Sequence, residues 1–266
     1  MIKLATTLTQ TNTAHPPLVL IHGLGSAATA FKPIIAKLSQ SFRVITVDLP
    51  GHGDSGYLKG QAMVPQALGS AIFDAIASEY GIKSFHVAGN SLGGWIALEM
   101  AAAQPVRILS LTGIAPAGLW LVPAAQRERR EARSYYLARL FRPFFRIGLR
   151  SKILRWIGFA TVSPRWQELS YETCFDASYA MLNCPGYFPA WDGMLTHRFD
   201  GHIPPTVPVT ILFGDSDNTL PYPISQERSL APAHRTWLTI DNCGHAPMWD
   251  YPDMVAQIIR ETSAKI

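Results

Sequence analysis

The chain of 266 residues carries 23 Lys and Arg against 19 Asp and Glu, a net charge of +4, with 48% hydrophobic and 16% charged residues. That length holds one large domain, or one domain with an insertion, and the apolar content suffices for a sizeable core. The charge balance gives no argument for nucleic acid. Three cysteines are too few for a disulfide framework, and the lack of a C-x-x-C pair leaves a zinc site without support.

The N-terminal stretch Met1-Ile2-Lys3-Leu4-Ala5 lacks the apolar run of a signal peptide. No segment approaches the length of a transmembrane helix, so the sequence reads as a soluble cytoplasmic protein. Residues 1–16 are polar and threonine-rich and predict a weak first strand and a loop. Pro17 to Ile21 is a continuous apolar run leading into His22-Gly23-Leu24-Gly25. Such a run fits a parallel strand covered on both faces. Phe31 to Leu38 predicts a short helix, and Arg43 to Asp48 the next strand, which enters the glycine-rich turn Leu49-Pro50-Gly51-His52-Gly53-Asp54-Ser55-Gly56. From Val64 to Tyr80 the residues Leu68, Ile72, Ile76 and Tyr80 fall on one helical stripe. Phe85 to Ala88 predicts a strand, Trp95 to Ala103 a helix, and Arg107 to Ile114 another strand.

Alternating strands and helices argue for a parallel sheet with helices on both faces. The alternation stops between about 119 and 203, where arginines and aromatics are frequent and Pro143, Pro164, Pro185 and Pro189 interrupt. This stretch predicts a helical cap lying over the C-terminal edge of the sheet. The core is then residues 1–118 and 204–266. The sheet resumes from Val207 to Phe213, followed by a helix containing Glu227 and Arg228, a last strand from Arg235 to Ile240, and a closing helix from Pro252 to Thr262.

Three reactive groups fall in loops after strands. Ser91 lies in Gly89-Asn90-Ser91-Leu92-Gly93, where a strand turns into a helix. The flanking glycines let strand and helix approach closely, so the hydroxyl projects clear of the backbone. A free hydroxyl is a weak nucleophile near neutral pH and needs a base, for which the imidazole of His245 is suited. The base in turn needs a carboxylate to fix its tautomer. Asp215 and Asp217 compete for that role from one loop.

The blocks His22-Gly23-Leu24-Gly25, Asp48 to Ser55, Gly89 to Gly94, Gly214-Asp215-Ser216-Asp217 and Gly244-His245 resemble the signature blocks of the α/β-hydrolase superfamily, in the family's order. The resemblance covers nearly all of the chain outside 119–203. It implies the α/β-hydrolase fold, with Ser91 as nucleophile, His245 as base and Asp217 as acid. The family places its acid on the third residue after the strand-ending glycine. Its second location for the acid holds Thr112-Gly113 here and offers no carboxylate. The backbone N–H groups of Leu24 and Leu92 would hold the oxyanion. Asp48 is expected to brace the glycine turn, with His22 and His52 structural and His86 a core or edge histidine. No cofactor and no metal is called for.

A serine at this turn favours acyl chemistry, so the leading reading is a carboxylesterase acting on small to medium apolar esters. Asn90 before the serine resembles the carbon–carbon bond hydrolases of aromatic-ring meta-cleavage products, although the tryptophan those enzymes carry after the histidine is Ala246 here. A cofactor-free perhydrolase or acyltransferase is a further enzyme reading. A slow, receptor-like ligand-binding protein is the alternative from another class. Trp166, Tyr187 and Trp191, with Asn90 and Ala246, are the candidate pocket residues. Between Arg127 and Arg155 stand ten basic residues against two acids, an excess larger than the net charge of the whole chain. Arg139, Arg142, Arg146 and Arg150 recur at helical spacing among Phe141, Phe144, Phe145, Ile147, Leu149, Leu154 and Trp156, although Pro143 must break or kink any helix there. Two readings stand: a solvated basic face over an apolar face packed on the sheet, or an amphipathic cap that meets a membrane surface or an anionic, lipid-like substrate.

Overall fold

The computed structural model describes residues 3–9, 14–122, 135–136, 139–140 and 142–265. Its strands are β1 (Thr6–Leu8), β2 (Pro17–Ile21), β3 (Arg43–Val47), β4 (Phe85–Asn90), β5 (Ile108–Ile114), β6 (Val209–Gly214) and β7 (Thr236–Ile240). They form one sheet in the order β1-β3-β2-β4-β5-β6-β7. All neighbours are parallel except β1, which runs antiparallel to β3. The core helices are α1 (Lys32–Leu38), α2 (Pro65–Tyr80) and α3 (Leu92–Ala103), and near the C-terminus α8 (Pro247–Asp250) and α9 (Pro252–Ser263). The sheet is the mostly parallel one that the alternation of segments predicts.

Both faces are covered, and the alternation of side chains along each strand sorts residues between them. Along β2, Val19 and Ile21 join Leu68, Ile72 and Ile76 of α2 and Ile96 of α3. Leu18 and Leu20 turn the other way, toward Ile34 and Leu38 of α1 and Val255 and Ile259 of α9. Every residue of β4 and β6 is buried. Burying apolar surface on both faces drives the association, at roughly 25 cal/mol per Å².

Two elements differ from expectation. The strand expected over Phe85–Ala88 continues through Gly89 and Asn90, which pair with Gly113 and Ile114 of β5. The helix expected around Glu227 is only a 3-10 turn over Arg228–Leu230. Glu227 accepts a hydrogen bond from the Ser229 N–H through its own side chain (2.8 Å), and Pro232 follows too soon for a longer helix.

Between 119 and 203 the described residues hold no strand. They form α4 (Phe145–Gly148), α5 (Lys152–Phe159), α6 (Tyr171–Leu182) and α7 (Tyr187–Leu195). Pro143 sits in a 3-10 turn, Arg142–Phe144, that ends before α4. Ser170 caps α6 by accepting a hydrogen bond from the Thr173 N–H (3.0 Å). The two ends of the stretch are tied together, with the Phe199 N–H on the Gly118 carbonyl (2.9 Å) and the Trp120 indole on the His197 carbonyl (2.8 Å). It meets loops at the C-terminal ends of β3 and β7: the Gly186 N–H donates to Gly51 (3.0 Å), and the His245 N–H to Val162 (2.7 Å). The basic residues from Arg127 to Arg133, and Phe141, lie outside the described residues. Among the described residues no helix is long and apolar enough to cross a membrane.

The junction of β4 and α3 leaves no room for a side chain. A Cβ on Gly93 would lie 2.0 Å from the Ile21 carbonyl oxygen, a backbone atom that cannot move aside, whereas a Cβ on Gly56 would meet nothing within 4 Å. Gly93→Ala is therefore expected to cost about 3 kcal/mol or more, and Gly56→Ala less than about 0.5 kcal/mol, read as shifts in the urea unfolding midpoint. Equal shifts for the two would refute this account of the junction.

Candidate active site

The strand order reverses at β2, which lies between β3 and β4. Loops that leave the C-terminal ends of strands on either side of such a reversal open a crevice between them. His22 to Gly25 leave β2 there, and Ser91 leaves β4.

Ser91 has φ 55° and ψ −118°, a conformation that costs a residue with a side chain free energy. The surroundings hold it there. Its N–H donates to the Ile114 carbonyl (2.9 Å), and its carbonyl accepts from Ala117 (2.9 Å) and Trp95 (3.1 Å). On Gly89 a Cβ would lie 2.2 Å from the Gly93 carbonyl oxygen, so strand and helix meet backbone to backbone. The Leu92 N–H, first in α3, has no partner within the helix and lies at the positive end of the helix dipole.

His245 comes from the loop after β7. Its Nδ1–H donates to Asp217 Oδ2 at 2.8 Å, which leaves the Nε2 lone pair free to accept a proton. Asp217 is buried, and its other oxygen accepts from the N–H groups of Thr219 (2.9 Å) and Leu220 (2.8 Å). Asp215, its rival in sequence, is exposed and bonds instead to the Ser216 hydroxyl (2.8 Å) and the Cys243 N–H (3.3 Å). The geometry thus pairs Asp217, not Asp215, with His245. No hydrogen bond is recorded between Ser91 Oγ and His245 among the described residues; in enzymes without substrate this link is often long and tightens in the complex.

Further bonds brace the serine and histidine loops. Asn90 Nδ2 donates to the Ile114 carbonyl (3.1 Å) and to the His245 carbonyl (3.0 Å), so the residue before the serine ties both loops together. Asp250 supports the histidine from behind. Its Oδ2 accepts from the Gly244 N–H (2.7 Å), and its Oδ1 accepts from the Ser163 hydroxyl. Arg165 donates to the Asp250 carbonyl (2.7 Å) and lies over the Tyr251 ring. Burial pushes the Asp250 carboxyl above its ordinary range. Sequence reasoning missed Asp250 and Ser163, which lie 87 residues apart and carry no local signature.

His22 orients the loop after β2. Leu49 donates its N–H to His22 Nε2 (3.0 Å), so Nδ1 carries the proton and donates to the Gly23 carbonyl (2.7 Å). A trans peptide holds its carbonyl and N–H antiparallel, so fixing the Gly23 oxygen aims the Leu24 N–H the opposite way. Asp48 braces the neighbouring turn, accepting from the Ala28 (2.7 Å) and Asp54 (3.0 Å) N–H groups. His52 bonds the Pro50 carbonyl (2.9 Å), and His86 pairs with the Ser110 hydroxyl (2.8 Å). Burial lowers His22 to about 4. His52 falls to about 3 through burial and the adjacent His22 ring, and His86 to about 4 through burial.

The five candidate pocket residues separate. Tyr187 and Trp191 pack with Cys184, Leu195 and Met181 against Leu24, beside the loop after β2. Trp166 belongs to a different cluster, with Phe159, Leu169 and Trp249. Ala246 is core, beneath the sheet with Ala30 and Met248. Asn90 acts as a brace, because its Nδ2 donates to two backbone carbonyls. Among the described residues, no group of three or more His, Cys, Asp or Glu side chains is placed to hold a metal ion.

Residues 18–258 match the model of the alpha/beta hydrolase family, and the chain belongs to that family. It is 28% identical to the pimeloyl-acyl carrier protein methyl ester esterase of Aliivibrio salmonicida, over 92% of this chain and 90% of that protein. It is 36% identical over 103 residues to the dihydrolipoyllysine-residue acetyltransferase component of the acetoin cleaving system of Pseudomonas putida. That match covers 39% of this chain and spans 27% of the longer protein's length. Among solved structures, a thermophilic esterase from Thermogutta terrifontis superposes with a TM-score of 0.75 at 23% identity, covering 99% of this chain and 94% of that one.

The buried histidines give a pH dependence with a definite sign. Unfolded, each binds a proton near pH 6.5; folded, His22, His52 and His86 stay neutral down to about 4, 3 and 4. The unfolded chain therefore binds more protons between those limits, and stability falls as pH drops from 6.5 toward 4. Melting temperature measured from pH 7.5 to 4.5 is expected to decline below pH 6.5, with a shallower decline in His86→Gln. A profile flat over that range would contradict the burial of neutral imidazoles.

Proposed function

We propose that the protein is a serine hydrolase, and within that class a carboxylesterase for small to medium apolar esters. The observation that carries this reading is the 2.8 Å bond from His245 to the buried Asp217, in a loop that Asn90 ties to the strained Ser91 turn. Ser91 Oγ attacks the ester carbonyl carbon as His245 Nε2 takes the hydroxyl proton. Asp217 holds the imidazole in the required tautomer and stabilises the imidazolium that forms. The N–H groups of Leu24 and Leu92 donate to the oxygen that becomes negative. Such a donor is typically worth about 3 kcal/mol in the transition state. Collapse of the tetrahedral species expels the alcohol, which receives the proton from His245. Water, deprotonated by the same imidazole, then cleaves the acyl-serine to carboxylic acid and free enzyme.

The aromatic cluster around Tyr187 and Trp191 stands against Leu24 and supplies an apolar wall beside the proposed oxyanion donors. The similar esterase of Aliivibrio salmonicida supports an ester over other acyl substrates. The carbon–carbon hydrolase reading rests on Asn90, whose Nδ2 is committed to two backbone carbonyls and so has a bracing role of its own.

Initial rates on p-nitrophenyl esters of increasing acyl length, beside a ring-cleavage dienoate, test the reading. Ester turnover is expected, with an optimum at short to medium chains, and Ser91→Ala is expected to lower kcat by about 10⁴-fold or more. Dienoate turnover with feeble ester activity would instead favour carbon–carbon cleavage. Asp217→Asn is expected to lower kcat by about 10³- to 10⁴-fold, through loss of the correct tautomer. Asp215→Asn, whose side chain does not touch His245, is expected to stay within a few-fold of wild type.

A further inference from the structure

We propose that the exposed side chains of residues 139–140 and 142–157 dock onto the surface of an anionic phospholipid bilayer. One expectation for this segment is an apolar side packed inward, and only part of it is: Leu149 is buried in a cluster with Phe159 and Leu169, with Phe145 packed against it, while other apolar side chains stand in solvent. Ile147 and Ile153 are each 70% exposed, Leu140 is 72% exposed, Phe144 62% and Trp156 56%. So many large apolar side chains left in solvent within one short segment mark a surface suited to a partner.

Helix α5 makes the inversion plain. Ile153, Trp156 and Ile157 stand at i, i+3 and i+4 on one stripe, and that stripe faces outward. Arg155 turns inward, where its guanidinium donates to the carbonyls of Leu169 and Trp166. A helix that served only as a lid on the core would present the opposite sides.

The rim of the patch is cationic. Arg139, Arg142, Arg146, Arg150 and Lys152 are exposed, and no ion pair is recorded for any of them among the described residues. Among the described residues, Glu172 and Asp176 are engaged by Lys32, and Glu168 by Arg165. Exposed apolar side chains interleaved with exposed cations match a surface that is apolar below and uniformly negative above. On such a surface isoleucine and tryptophan enter the acyl boundary while arginine and lysine reach the phosphates. Nucleic acid would satisfy the cations and leave the isoleucines in water. A second copy of the chain would bring two cationic rims together, and like charges in contact across an interface are costly.

Sedimentation with vesicles of phosphatidylcholine alone, and of phosphatidylcholine with 30% phosphatidylglycerol, tests the proposal. The wild type is expected to partition onto the anionic vesicles at least about tenfold more strongly than onto the neutral ones, and 0.5 M NaCl should reverse most of that preference. Ile153→Ser with Trp156→Ser is expected to cut binding about tenfold or more, and Arg142→Glu with Arg150→Glu likewise. Neither pair should lower the melting temperature by more than a degree or two, because these side chains are exposed. Absent or charge-independent binding would overturn the proposal, and so would full binding by the Ile153/Trp156 variant. A concentration-dependent dimer in light scattering, lost in that variant and unaccompanied by vesicle binding, would also overturn it by assigning the patch to a second copy.

Discussion

Ser91 at φ 55° is held in place by everything around it. The turn between β4 and α3 is so close that Gly89 and Gly93 meet backbone atoms where a side chain would begin. Such proximity is possible only because β2, β4 and β5 are buried on both faces and fix the approach of α3. The strain is thus offset by a core many times larger than the turn. What the strain brings is placement: the hydroxyl, the first N–H groups of the helix and the crevice between reversed strands converge without any long or mobile side chain.

Histidine serves this chain in opposite electrical roles. His22, His52 and His86 are kept neutral by burial, and each works as a fixed donor or acceptor for the backbone or a hydroxyl. His245 differs in its partner, since its Nδ1–H donates to the buried Asp217 carboxylate. The same residue type is a strut in three places and the proposed proton carrier in one, and the difference lies in which groups its two ring nitrogens bond.

The residues most legible in sequence are those whose backbone or chemistry permits few substitutes. Glycines at a crowded junction, a serine between them, and a carboxylate and a histidine after later strands carry their reasons locally. The strands were legible because burial on both faces demands unbroken apolar runs. Other features depend on partners far away in the chain. Nothing near Asn90 indicates that its carboxamide meets the carbonyl of His245, 155 residues on. Nothing near Asp250 indicates Ser163. Within the stretch from 119 to 203 the aromatics were visible, but not their sides. Trp166 and Trp191 carry the same chemistry and fall in different clusters, because short proline-broken helices give too few turns for a periodicity to point anywhere.

The bond from the His245 N–H to the Val162 carbonyl has a consequence for how this molecule could be recombined. The segment from 119 to 203 looks like a detachable module, entering and leaving the sheet at adjacent points. Yet Val162, Ser163 and Arg165 are part of the scaffold under the histidine. A chimera that replaced the whole segment with a foreign one would remove that scaffold along with the pocket wall. The practical joint lies inside the segment: exchange on the N-terminal side of Val162, or on the C-terminal side of Arg165, leaves the histidine its footing.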